Sequence, residues 1–168
     1  MSPPLWSSSV SSTDSPVLSG RRVAIVVATM GGLGYAPLGS GTFGTLGGVA
    51  LVLLLPRGLI AETVALLLVL AVGTWAARAV SAAWGTHDDY RIVVDEAAGY
   101  LAAMYLLPRT FGICLLAFVL FRVLDASKPG PVGAAERVPG AWGIMLDDLV
   151  AGALVNIAIH ALRLALRS

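Results

Sequence analysis

Long stretches without a charged side chain dominate this sequence and limit the folds that it can adopt. No acid or base occurs between Val23 and Pro56. Four further uncharged runs cover residues 63–77, 97–108, 110–121 and 149–162. Leu, Ala and Val make up most of these runs, and this composition favours helix over strand. The sequence therefore predicts an all-α fold.

Two breaks divide the apolar sequence into hairpins. Pro56-Arg57-Gly58 and Pro108-Arg109 are helix-ending signals flanked by apolar residues. Each break predicts that the chain reverses and forms a helical hairpin. The resulting five helices cover roughly 42–55, 59–77, 92–107, 110–124 and 144–165.

The scarcity of charge favours a membrane environment. Only 12% of the residues are charged and 57% are hydrophobic, whereas a soluble domain of this size must cover its surface with polar groups. A full transmembrane helix needs about 20 apolar residues. Residues 41–55 and 59–77 suit short or tilted spans, and 97–108 and 110–121 are marginal. We predict an integral membrane bundle of about five short hydrophobic helices.

The N-terminal sequence differs from the rest of the chain. Residues 1–20 are rich in Ser and Pro and hold no apolar block, which predicts a disordered leader. They lack the basic start and apolar core of a secretory signal. A length of 168 residues is typical of one domain, so residues 21–168 are predicted to form a single membrane domain. The net charge of +1 argues against a nucleic-acid partner.

The hairpin count predicts that the polar segments meet at one end of the bundle. Because successive helices reverse direction, the loop at 31–41, the segment 78–95 and the loop at 125–143 reach the same face. The turns at 57 and 109 reach the other. The first face carries more of the bases: Arg21, Arg22, Arg78, Arg91, Arg122, Lys128 and Arg137. By the positive-inside tendency this face is cytoplasmic.

An island of acids and bases lies between Phe121 and Gly152. It contains Arg122, Asp125, Lys128, Glu136, Arg137, Asp147 and Asp148. Ionisable groups are costly where water is scarce, so such an island indicates a functional site. Acids suit a hard cation such as Mg²⁺, and bases suit an anion, a pairing typical of phosphoryl chemistry. A simple surface ion pair between Arg122 and Asp125 is the alternative.

Two other segments are candidates for the same site. Asp95 and Glu96 begin the third predicted helix, where acids either bind a ligand or simply interact with the helix dipole. The glycine-rich loop at 39–45 precedes the first predicted helix. Its hydroxyl groups either cap that helix or hold a phosphate oxygen. Gly44 and Gly48 fit a small-xxx-small helix contact equally well.

Four elements of the sequence resemble the phosphatidylglycerophosphatase A family, over about residues 30–160. They are the glycine-rich loop at 39–45, D-E-x-x-G at 95–99, F-R-x-x-D-x-x-K-P-x-P at 121–131 and G-I-M-x-D-D-x-x-A-G at 143–152. Members of this family are bacterial Mg²⁺-dependent phosphatases that convert phosphatidylglycerophosphate to phosphatidylglycerol. Ser40 departs from the family by replacing the usual Pro of P-G-T, and Glu136 stands in place of an expected Asp. Pro139 and Ala141 alter the glycine-rich approach to Gly143.

The resemblance implies a role for each matching residue. The Mg²⁺ ligands would be Glu96, Asp125, Asp147 and Asp148, with Asp95 a weaker candidate. The phosphate would be held by Arg122 and Lys128, assisted by Thr42 and Thr45, and Asp125 would also be catalytic. The partners implied are an anionic phospholipid and the bacterial inner membrane, with the site on the cytoplasmic face.

Two other functions compete with this prediction. A non-catalytic membrane protein, such as a transporter component or an assembly factor, would use the acids for ion or partner contacts. A transport path should place an acid mid-span, and none of the ten acids is clearly there. A CDP-alcohol phosphotransferase would carry a D-G-x-x-A-R signature, which this chain lacks.

Overall fold

Helices account for the regular secondary structure in the computed structural model, which describes residues 16–86 and 89–167. The seven α-helices are α1 Pro16–Ala28, α2 Ser40–Leu54, α3 Leu59–Trp84, α4 Val94–Ala103, α5 Phe111–Ser127, α6 Gly130–Glu136 and α7 Ala141–Ala165. A short 3₁₀ turn covers Leu33–Tyr35. The all-α prediction is confirmed for these residues.

Two helices, α1 and α6, were not predicted. The predicted boundary at residue 20 falls inside α1, and residues 1–15 lie outside the described part of the chain. Arg21 and Arg22 are exposed on α1. Proline is well tolerated in the first turn of a helix. In α6 the N-cap is Pro129, and Pro131 occupies the first turn.

The other helices follow the predicted order with different ends. The third helix, α3, runs past residue 77 to Trp84, because Arg78 is exposed on its surface and does not interrupt it. Gly85, with φ 70°, provides the left-handed residue that ends it. The fourth, α4, is shorter than predicted, and α5 extends to Ser127.

The short helix α4 is the centre of the bundle. All of its residues except Glu96 are buried, and it packs against α2, α3, α5 and α7. Glycines permit these close contacts. A Cβ atom at Gly48 of α2 would lie 3.0 Å from the Cβ of Tyr100, and one at Gly44 would lie 2.7 Å from the Cβ of Val93. Gly44 and Gly48 therefore form the small-xxx-small contact that the sequence suggested.

The contact between α4 and α7 is closer still. Gly99 of α4 faces Gly152 of α7, and a Cβ atom at Gly152 would collide with the carbonyl oxygen of Gly99. A Cβ atom at Gly99 would in turn lie 2.7 Å from the carbonyl oxygen of Asp148. The main chains of α4 and α7 are therefore in direct contact where the two helices cross.

Two helices, α3 and α7, are long and apolar enough to cross a membrane, by length and composition. Much of α3 faces outward: Ile60 is 80% exposed and Leu67 is 60% exposed. The α7 helix is more enclosed, and α2 is a shorter apolar helix.

The turns that follow α2 and α4 meet at one end of the bundle, as the hairpin count predicted. Glu62 accepts a hydrogen bond from the Leu106 amide at 2.7 Å and pairs with Arg109 Nη2 at 3.1 Å. Arg109 also donates to the carbonyl oxygen of Leu55. These contacts join the two hairpins at the end where α2 finishes and α5 begins.

Candidate active site

A cleft of about 460 Å³ opens at the other end of the bundle, where α2 begins and α5 ends. Its walls come from four segments, at 39–41, 90–96, 122–128 and 144–148. The glycine loop, the Asp95-Glu96 pair and the charged island are therefore brought together in one place. Seven of the nine predicted site residues line the cleft: Asp95, Glu96, Arg122, Asp125, Lys128, Asp147 and Asp148.

Three acids converge at the floor of this cleft. Asp95 and Glu96 lie in the first turn of α4, and Asp148 comes from α7, which crosses α4 at Gly99. Their carboxylate oxygens lie within 4.8 Å of one another. This grouping makes Asp95 a full member of the acid cluster, although the sequence had ranked it as the weaker candidate.

Two oxygens of this cluster lack any hydrogen-bond partner. Glu96 Oε2 and Asp148 Oδ1 are both buried and unpaired. Buried polar atoms almost always have a partner, so each exception calls for an explanation. A cation at the point where the three carboxylates converge would satisfy both atoms. An oxygen-only donor set suits a hard divalent ion.

The pKa values of the α4 acids lead to the same conclusion. Burial raises the pKa of Asp95 well above its usual value, and the charge of Glu96 adds to this shift. Burial also raises the pKa of Glu96, although its hydrogen bond with Asp95 partly offsets the effect. A bound cation would remove the repulsion between these carboxylates and favour their charged forms. The residues present therefore fit a metal ion.

The two bases in the cleft are each paired with an acid. Arg122 Nη1 lies 2.6 Å from Asp125 Oδ2, and Lys128 Nζ lies 2.9 Å from Asp147 Oδ2. Lys128 Nζ also lies 2.6 Å from Glu136 Oε1. The predicted metal ligands Asp125 and Asp147 thus each form an ion pair with a base in the cleft.

Lys128 remains charged in this setting. Burial acts to lower the pKa of Lys128, but its hydrogen bonds to Glu136 and Asp147 outweigh that effect and hold the pKa above its usual value. Glu136, whose role could not be assigned from the sequence, is thus a partner of Lys128. A charge of this kind at the cleft mouth is suited to an anion.

The glycine loop forms the wall next to both groups. A Cβ atom at Gly41 would collide with Glu96 Oε1 and lie 2.9 Å from Arg122 Nη1. A side chain at residue 41 would therefore displace the ends of the Glu96 and Arg122 side chains. The Ser40 hydroxyl donates to the carbonyl oxygen of Tyr90 at 2.6 Å, which attaches the loop to the segment before α4.

Two predicted phosphate contacts do not line the cleft. Thr45 is buried, and its hydroxyl donates to the Gly41 carbonyl oxygen at 2.8 Å within its own helix. Thr42 is half-buried in the first turn of α2. Gly39, Ser40 and Gly41 line the cleft instead. Three apolar or aromatic residues also line the cleft. Tyr90 and Ile92 precede the D-E-x-x-G motif and had no signal of their own, and Ile144 is the second residue of the motif at 143–152.

Comparison with known proteins adds the chemical context. A family model described as phosphatidylglycerophosphatase A matches residues 26–163. The chain belongs to the phosphatidylglycerophosphatase A family. It is therefore a lipid phosphatase of that family, and the predicted resemblance is confirmed. The match includes the whole of the cleft.

Three relatives that are similar to this chain carry two different names. A Bacteroides thetaiotaomicron protein named "Putative phosphatidylinositol-3-phosphatase" is 36% identical over 83% of this chain and 92% of its own length. The Escherichia coli phosphatidylglycerophosphatase A is 35% identical over 73% of each chain. The Haemophilus influenzae phosphatidylglycerophosphatase A is 32% identical over 73% of this chain and 78% of its own. No solved structure matches the chain.

Proposed function

We propose that this chain is a Mg²⁺-dependent phosphatase that hydrolyses the terminal phosphate monoester of phosphatidylglycerophosphate to give phosphatidylglycerol and phosphate. One observation carries the proposal. Three convergent carboxylates, two of them with an unpaired buried oxygen, share a cleft with Arg122 and Lys128. A cation site beside two bases suits a phosphate monoester, which carries negative charge in both its ground and transition states.

The acids provide the metal site of the proposed enzyme. Asp95, Glu96 and Asp148 would hold Mg²⁺, and Asp125 and Asp147 are further ligands in the proposal. When bound, the ion supplies charge neutralisation on the phosphate and orients the attacking oxygen. The burial of the acids keeps bulk water away and strengthens each electrostatic contact in the cleft.

The bases provide the phosphate site. The Arg122 guanidinium has five N–H donors in a planar fork, and its pairing with Asp125 through Nη1 leaves the others available to phosphate oxygens. Lys128 adds a compact charge from the end of α5. Because Gly41 has no side chain, a phosphate oxygen can approach both Arg122 and the acids. Thr42 and Thr45 contribute through the α2 N-terminus that they help to form, where free amide groups favour an anion.

We further propose that the chain spans the bacterial inner membrane with its cleft on the cytoplasmic face. The length and apolar surfaces of α3 and α7 support insertion. The cleft lies at the helix ends, where a lipid headgroup would meet it. Outside α1, which carries the exposed Arg21 and Arg22, the bases at the cleft end are Arg78, Arg91, Arg122, Lys128 and Arg137, against Arg57, Arg109, Arg163 and Arg167 at or towards the other end. The positive-inside rule favours the cytoplasm for the cleft end.

A second candidate substrate is phosphatidylinositol 3-phosphate, which the name of the Bacteroides relative favours. Both lipids carry a phosphate monoester on a polar headgroup, so the same cleft chemistry would serve either. The deciding measurement is phosphate release by the purified protein from each lipid in mixed micelles, with Mg²⁺ and with a chelator. We expect faster Mg²⁺-dependent release from phosphatidylglycerophosphate. Faster release from the inositol lipid would favour the second substrate. Release from neither by folded protein would favour a non-catalytic role.

Asp125→Asn is expected to abolish Mg²⁺-dependent phosphate release while leaving the protein folded. Asp125 Oδ2 lies 2.6 Å from Arg122 Nη1, so the change removes the charge that orients the guanidinium. It also removes a proposed metal ligand. Phosphate release and the thermal unfolding midpoint in detergent measure the two effects separately. Full activity of the folded variant would contradict the assignment of Asp125.

A further inference from the structure

An apolar groove runs along the outside of the bundle between α2 and α5. It has a volume of about 530 Å³, and its walls are almost wholly apolar. The main contributors are Leu46, Val49 and Leu53 from α2 and Phe111, Leu115 and Phe118 from α5. The groove thus lies between the two helices that carry the glycine loop and Arg122 into the cleft.

The α5 wall of this groove continues into the cleft on the same helix face. Phe111, Leu115 and Phe118 recur at positions i, i+4 and i+7. Arg122 and Asp125 follow at i+11 and i+14, and this spacing keeps all five on one side of an α-helix. One face of α5 is therefore apolar at its start and charged at its end.

The α2 wall repeats the pattern. Thr42, Leu46, Val49 and Leu53 occupy positions i, i+4, i+7 and i+11 on one face of α2. Thr42 follows Gly41, the residue that lies against Arg122 at the cleft. The polar end of each wall thus lies at the cleft, and the apolar part of each wall leads away from it.

We propose that this groove binds one acyl chain of the phospholipid whose phosphate occupies the cleft. The inference rests on the proposed function and extends it from the headgroup to the chain. At a rise of about 1.5 Å per residue, the stripe from Phe111 to Arg122 is about 16 Å long. Half of the hydrocarbon core of a bilayer is about 15 Å thick. A chain from one leaflet would therefore match the groove in length and in polarity.

A second apolar groove does not share this continuity. It is lined mainly by α3, and single residues or pairs come from α1, α2 and α4: Val27, Leu51, Val94 and Ala97. Leu51 lies nine residues after Thr42, which places it on the opposite face of α2. This second groove therefore provides the matched control, because it offers apolar surface on the opposite face of α2.

The kinetic experiment fills one groove at a time. Leu46→Trp and Leu115→Trp narrow the proposed groove, and Leu68→Trp narrows the control groove at a comparably exposed leucine. Each variant is assayed on long-chain phosphatidylglycerophosphate and on its deacylated form, glycerophosphoglycerophosphate. We expect the ratio of kcat/KM for the long-chain lipid to that for the deacylated form to fall about tenfold in the first two variants, as loss of contact with about two methylenes predicts. In Leu68→Trp the ratio should stay at the wild-type value.

Different outcomes contradict the groove proposal and the proposed function. An unchanged ratio in both Leu46→Trp and Leu115→Trp, or an equal fall in Leu68→Trp, would overturn the groove proposal while the phosphatase activity stands. A wild-type protein that hydrolyses neither compound would contradict the proposed function instead.

A binding experiment tests the groove without turnover. Phosphatidic acid with a photoreactive diazirine in one acyl chain is incorporated into vesicles with the wild-type protein and cross-linked by light. We expect labelled peptides from α2 and α5, and fewer of them in Leu115→Trp. Labelling confined to α1 and α3, or distributed evenly over the outer helices, would overturn the proposal.

Discussion

Asp148→Asn is expected to lower Mg²⁺-dependent phosphate release by about a thousandfold or more. Asp148 is buried at the convergence of three carboxylates, and its Oδ1 has no other partner. Loss of one ligand removes several kcal/mol of charge stabilisation, and each 1.36 kcal/mol corresponds to about tenfold in rate. Steady-state phosphate release over a range of Mg²⁺ concentrations measures the effect.

The stability of this variant provides a second readout. In the absence of Mg²⁺, replacing one repelling carboxylate by an amide should leave the folded state at least as stable as the wild type. Added Mg²⁺ should raise the thermal unfolding midpoint of the wild type, because a ligand that binds only the folded state stabilises it, and should raise that of the variant much less. If the Asp148→Asn variant has wild-type turnover and a wild-type response to Mg²⁺, Asp148 is not a ligand of the metal.

Asp89→Asn is the matched control for this experiment. Asp89 is 7% exposed, as buried as Asp95, but it pairs with Arg91 at 2.7 Å and does not line the cleft. We expect the control to keep its activity and its response to Mg²⁺. Equal losses of activity in Asp89→Asn and Asp148→Asn would mean that buried aspartates in general are needed for folding. The loss in Asp148→Asn would then not support a role for Asp148 in the reaction.

Gly152→Ala is expected to cause a large loss of stability. The new Cβ would collide with the carbonyl oxygen of Gly99, a backbone atom that cannot rotate away. Overpacking of a tight core typically costs about 1–3 kcal/mol, and separation of α4 from α7 would also pull Asp148 away from Asp95 and Glu96. The thermal unfolding midpoint and phosphate release should therefore both fall.

Gly112→Ala gives the comparison for that variant. A Cβ atom at Gly112 meets nothing within 4 Å, and the residue lies in the first turn of α5. Alanine favours helix over glycine by about 1 kcal/mol, so this change should leave the midpoint unchanged or raise it. If the two variants unfold at the same temperature, the crossing of α4 and α7 is looser than the structure indicates.

The distribution of charged residues and prolines was sufficient to predict that the fold is helical and that the polar segments lie at the same end of the bundle. The alternation of helices brought the glycine loop, Asp95-Glu96 and the charged island to one end, where the cleft is found. Helix α1 was missed because Ser and Pro were interpreted as signs of a leader that ended at residue 20. Such residues are acceptable in the first turns and on the exposed face of a helix, and only tertiary packing decides between the two.

The partners of individual side chains could not be predicted in the same way. Adjacent residues on a helix point about 100° apart, which made joint use of Asp95 and Glu96 less plausible from spacing alone. The close crossing at Gly99 brings Asp148 to both carboxylates, and that crossing depends on a contact between distant parts of the sequence. Thr45 was predicted to contact phosphate because it carries a hydroxyl. In the structure that hydroxyl donates to the carbonyl oxygen of Gly41 within α2.

The burial of α4 has a consequence for how the protein would respond to its lipid environment. Membrane helices adjust to bilayers of different thickness by tilting or by local deformation of the lipid. Helix α4 has almost no surface to offer lipid, and its contact with α7 at Gly99 is made through backbone atoms. A thicker or thinner bilayer would thus act first on the exposed helix α3, and the spacing of the three acids would stay the same from one membrane composition to another.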